Sequence, residues 1–83
     1  MTKMASERLQ IELNRDKAKE LDALMKEVKA STKKEYVNAA LTLLKWAIEQ
    51  RRAGRIIASV DEREDAYREL LMPLLSEVRR IET

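Results

Sequence analysis

The chain contains neither cysteine nor histidine. Without cysteine there are no disulfide staples, and without either residue the usual zinc ligands and the commonest general base are missing. A single glycine, Gly54, rules out a glycine-rich loop that cradles phosphate. No apolar run approaches the roughly 20 residues that span a bilayer. Met1-Thr2-Lys3-Met4-Ala5-Ser6 lacks the apolar stretch of a signal peptide, so the expected compartment is the cytoplasm, with no membrane partner. Asp, Glu and Lys lie on solvated faces and form no nucleophile–base pair. No catalytic residue, cofactor site or metal site is therefore expected.

These absences leave one route to stability. Eighty-three residues make one domain at most, and a chain this short struggles to bury enough apolar surface alone. With disulfides and metal excluded, oligomerisation is the remaining stabiliser. The charge is unevenly spread. Residues 1–58 carry thirteen Lys/Arg against eight Asp/Glu, whereas residues 59–83 carry four against seven. A basic front half suits phosphate contact, and an acidic rear half is repelled by it.

Arg8-Leu9-Gln10-Ile11-Glu12-Leu13 alternates polar and apolar residues, the pattern of a half-buried strand. Such a strand has no evident partner in its own chain, so pairing with the same strand of a second copy is expected. The resulting ribbon would turn Arg8, Gln10 and Glu12 outward twice over, and a two-stranded ribbon fits a DNA major groove.

Asn14 is a good N-cap for a first helix. Ala18, Leu21, Leu24, Met25 and Val28 recur at helical spacing, and the pattern breaks near Lys29-Ala30-Ser31. Thr32-Lys33-Lys34-Glu35 has the form of a capping box and opens a second helix, which closes at Arg51-Arg52-Ala53-Gly54. That helix is apolar over most of its circumference, more than one neighbour can cover, so a partner subunit is again expected. Leu9, Ile11, Leu13, Val37, Ala40, Leu41, Leu44 and Ile48 form the expected dimer core. Trp46 reads as packing rather than a stacking platform, and Arg51, Arg52 and Arg55 read as complements to the helix dipole.

Residues 55–72 admit two readings. Arg55–Asp61 can pair as a short strand with Tyr67–Met72. Alternatively Ser59-Val60-Asp61-Glu62 caps a helix carrying Tyr67, Leu70, Leu71, Leu74, Val78 and Ile81. Pro73 favours the hairpin, since proline inside a helix costs about 3 kcal/mol. It also suits the first turn of a final helix over Leu74–Ile81.

Strand, helix, capped turn and buried helix in this order resemble the ribbon-helix-helix family of bacterial transcriptional regulators, the MetJ/Arc type. The resemblance covers Glu7 to about Arg52. It implies a mainly α fold with one N-terminal strand, an intertwined homodimer joined by a two-stranded antiparallel ribbon. The implied division is a flexible arm over residues 1–6, a DNA-binding and dimerisation domain over 7–54, and a C-terminal extension over 55–83.

The resemblance assigns base contacts to Arg8, Gln10 and Glu12. Phosphate contacts fall on Thr32, Lys33 and Lys34 at the start of the second helix, where free N–H groups and the positive dipole end favour anions. Two departures stand out. The family commonly has glycine followed by an aliphatic residue after the first helix, where this chain has Ala30 and Ser31. Glu12 is unfavourable near phosphate unless paired with Arg8 or Lys34.

The implied function is a homodimeric, sequence-specific DNA-binding repressor, with double-stranded DNA and a second copy as partners. Many proteins of this kind are antitoxins, whose C-terminal extension masks a toxin while the ribbon represses the shared operon. A dimeric interaction protein that never touches DNA is the remaining alternative.

Overall fold

The computed structural model describes residues 7–81, so the arm expected over residues 1–6 lies outside the described residues. The element order is α1 (Arg15–Glu27), α2 (Lys33–Arg52), β1 (Ala58–Asp61), β2 (Ala66–Glu69) and α3 (Pro73–Ser76). This corrects the expected fold. No strand forms over Arg8–Leu13, and the two-stranded antiparallel sheet follows the helices instead of preceding them. Alternation decides which side chains share a face, but a strand exists only where another backbone completes its ladder. Among the described residues no backbone hydrogen bond ties residues 7–13 to another element, and Leu9 is 76% exposed.

The helix starts follow from their caps. Asn14 Oδ1 accepts from the Lys17 N–H at 2.8 Å, and Thr32 Oγ1 accepts from the Glu35 N–H at 3.0 Å. Each satisfies one of the donors that the first turn leaves without an intrahelical partner. The capping box at Thr32 is only half made. The Glu35 carboxylate accepts from the Ser31 hydroxyl at 2.9 Å instead of returning to the Thr32 amide.

Both long helices end in the same way. After α1, the Ala30 N–H donates to Met25 O at 2.9 Å and the Lys29 N–H to Lys26 O at 3.2 Å, with Lys29 at φ 58°. After α2, the Arg55 N–H donates to Gln50 O and the Gly54 N–H to Arg51 O, with Gly54 at φ 78°. These paired 6→1 and 5→2 bonds around a left-handed residue are the Schellman motif. The first falls one residue earlier than the family comparison suggests, at Lys29 instead of Ala30. A side chain at Lys29 costs about 1 kcal/mol in this conformation. Lys29→Gly is therefore expected to stabilise the fold by about 0.5–1 kcal/mol, and Gly54→Ala to destabilise it by about 1 kcal/mol, measured by urea titration at fixed concentration. A Cβ at Gly54 would come within 2.6 Å of Arg80 Nε, but the end of a flexible side chain yields cheaply. Backbone strain thus dominates that cost.

The hairpin reading of residues 55–72 is the one observed. β1 and β2 pair with Ala58 opposite Glu69, Ser59 opposite Arg68, Val60 opposite Tyr67 and Asp61 opposite Ala66. The Asp61 carboxylate, read above within a helix cap, serves the loop instead. Its Oδ1 accepts from the Arg63 N–H at 3.0 Å and the Glu64 N–H at 3.4 Å. Asp65 closes the loop at φ 51°, a conformation that aspartate tolerates better than most residues.

The final helix spans only Pro73–Ser76, against the expected Leu74–Ile81. One turn does not repay the cost of helix nucleation. It packs on α2, with Leu75 buried and lining a depression together with Arg51 from the last turn of that helix. The chain then turns back, and the Ile81 N–H donates to Arg52 O at 2.8 Å, satisfying one of the carbonyls left open at the end of α2.

Only Ala47, 6% exposed, and Leu75, 4% exposed, are buried among the described residues. The accessible surface is 8705 Å², where a compact monomer of this length has about 5,100 Å². The radius of gyration is 16.7 Å against about 12 Å for a compact domain. A single copy therefore does not complete its own interior.

Candidate nucleic-acid interface

Two regions carry the residues assigned to DNA. The first is the segment before α1. Arg8, Gln10 and Glu12 are all exposed there, and so are Leu9, Ile11 and Leu13 between them. Among the described residues Glu12 makes no ion pair with Arg8 or Lys34. The one ion pair found is Lys17–Glu20 at 3.2 Å.

The second region is the α1–α2 corner. The Schellman turn directs the chain into Ser31 and Thr32, and Thr32, in extended conformation at φ −138° and ψ 155°, opens α2. Its hydroxyl is engaged by the Glu35 amide, which leaves the amides of Lys33 and Lys34 as the first-turn donors facing outward. Both lysine side chains are exposed, with no ion pair among the described residues. Lys29 adds a third positive charge at the turn. Glu35 opposes them, and its hydrogen bond to Ser31 holds that negative charge at the helix start. Sequence reasoning missed this role of Ser31. A hydroxyl four residues before a glutamate was the available signal.

The expected dimer core is not a core within one chain. Leu9, Ile11, Leu13, Val37, Ala40 and Leu41 are exposed, while Leu44 and Ile48 are half-buried. Trp46 is also exposed. Around α2 the apolar positions left wholly or partly open form two stripes. Val37, Leu41, Leu44 and Ile48 share one, and Leu43 and Trp46 lie on the other. Ala47, between them, is the position that a neighbour in the same chain covers.

The arginines at the end of α2 have structural work. The Arg51 guanidinium donates to Arg55 O at 3.2 Å, and the Arg55 guanidinium donates to Gln50 Oε1 at 3.2 Å. They brace the Schellman turn. Beyond it lies a shallow depression lined by Arg51, Glu69, Leu70 and Leu75. Among the described residues no helix is long and apolar enough to cross a membrane. No family model matches the chain, and neither a curated protein nor a solved structure matches it.

Proposed function

We propose that the chain is a homodimeric, sequence-specific DNA-binding protein that represses transcription. The observation that carries this reading is a pairing of features. Exposed polar side chains alternate along residues 8–13, and a lysine-rich helix start stands free, in a chain whose apolar surface calls for a second copy. In the complex, Arg8 suits guanine O6/N7, Gln10 suits adenine N6/N7, and Glu12 can accept from cytosine N4. Thr32, Lys33 and Lys34 hold a backbone phosphate, which fixes register without reading sequence.

The test separates reading from anchoring. Genomic fragments bound by the purified protein are selected and sequenced, and affinities for the recovered site and for random DNA are then compared. Arg8→Ala or Gln10→Ala is expected to cost about 1–3 kcal/mol on the site and to relax preference at single positions. Lys33→Ala is expected to weaken all sequences alike and to reduce the salt slope by about 1. Equal loss on random DNA for all three substitutions counts against direct readout.

A second reading, an antitoxin, draws on the C-terminal extension. Leu70, Leu71 and Leu74 are exposed where the chain leaves the acidic hairpin, and together with its carboxylates they suit a basic protein. Tight capture of such a partner with no DNA selection would favour an interaction protein over a repressor.

A further inference from the structure

We infer that the acidic hairpin of each chain docks on the basic α1–α2 corner of a second copy, a contact that rests on the homodimer proposed above. The hairpin cannot stand on its own. A two-stranded sheet is marginal in water without a third strand or a helix against one face. Here every strand residue is exposed, Tyr67 to 67%. The register places Val60 and Tyr67 together on one face with Ala58 and Glu69, and puts Ser59, Asp61, Ala66 and Arg68 on the other. One face is thus apolar at its centre and needs cover.

Charge identifies the cover. Residues 58–69 carry five carboxylates against two arginines, in a chain that is +2 as a whole. Two such hairpins repel each other. Residues 26–35 carry four lysines against two glutamates, with Val28 exposed among them and Leu24 and Val37 exposed on either side. An apolar centre with an acidic rim therefore matches an apolar centre with a basic rim.

The match is not made within one chain: the hairpin follows the far end of α2, a helix of 20 residues or about 30 Å, and packs against neither long helix. It can be made between two. Val37, Leu41, Leu44 and Ile48 are spaced symmetrically about the middle of α2, so an antiparallel pair sets Val37 beside Ile48, and Leu41 beside Leu44, across a two-fold axis. That arrangement carries each hairpin to the helix start of the other copy. The excess exposed surface is ample for it, since a stable interface removes about 800 Å² per partner. Lys33 and Lys34 then meet two anions in turn, the hairpin in the free dimer and phosphate in the DNA complex.

The absence of cysteine makes the contact directly testable. Val28→Cys and Tyr67→Cys chains are purified separately, refolded together and mildly oxidised. The expected result is a disulfide-linked dimer in the mixture and none from either variant alone. A charge cycle gives a second readout. Glu62→Gln with Glu64→Gln is expected to raise the dimer dissociation constant about tenfold at low salt, and to have no such effect in a Lys33→Gln/Lys34→Gln background. A dimer by sedimentation with no mixed cross-link and additive charge effects overturns the proposal while leaving the homodimer intact. In that case the hairpin serves a different protein. A monomer by sedimentation removes the homodimer itself.

Discussion

Leu41→Asp is expected to abolish dimerisation and, with it, most of the folded population at micromolar concentration. Within a single chain the substitution should be almost harmless. Leu41 is 58% exposed, and surface substitutions away from special features stay within about 0.5 kcal/mol. In a dimer sealed by the Val37–Leu41–Leu44–Ile48 stripe, the same change buries an unpaired carboxylate beside apolar groups. Leaving a buried charge unpaired costs about 3–5 kcal/mol, and the two-fold axis applies that cost twice. Helix propensity differs by only about 0.7 kcal/mol among ordinary residues, too little to produce such a loss. Circular dichroism and sedimentation on one sample read both consequences. A variant that stays helical and associates like the parent would mean that this stripe is not the interface.

Leu75→Ala is expected to destabilise the protein by about 2–3 kcal/mol, toward the low end for a buried leucine, because its surroundings can partly collapse into the space. The effect is large for so short an element because Leu75 is one of two buried side chains among the described residues. It holds a four-residue helix that has little stability of its own. Losing it frees the segment that returns to Arg52 O through the Ile81 amide. Urea titration at fixed protein concentration measures the cost, and limited proteolysis locates it. Faster cleavage after Pro73, with α2 still protected, is the expected pattern. Unchanged cleavage would mean that the return of the chain to α2 does not depend on this side chain.

The elements that local chemistry specifies were legible in the sequence. Asn14 and Thr32 mark the starts of α1 and α2 because a side-chain oxygen can reach the amide three residues on, and both bonds are made. Gly54 marks the end of α2 because only glycine accepts a positive φ freely. The hairpin was one of two open readings, and Pro73 weighed toward it by denying a helix its interior.

What needed non-local knowledge was not legible. The alternation of residues 8–13 describes a side-chain pattern, whereas a ladder depends on a second backbone that the single chain does not supply. The turn after α1 was legible as lying near Lys29-Ala30-Ser31, but its left-handed residue is Lys29 and not Ala30, and lysine gives no signal for that conformation. The last helix was overestimated because Val78 and Ile81 continue a helical spacing. The backbone instead answers the open carbonyl of Arg52. Of the candidate site, the exposure of Arg8, Gln10, Lys33 and Lys34 agrees with their assignment, but exposure alone does not bring them to one surface.

Closure of the exposed apolar surface by an identical chain underlies both the fold's stability and the proposed DNA binding. Sedimentation equilibrium of the full chain at micromolar concentration, paired with thermal unfolding over a hundredfold dilution series, tests this most directly. A two-chain mass and a melting temperature that falls as the protein is diluted are expected. A cooperatively folded single-chain species, with a melting temperature independent of concentration, would contradict it.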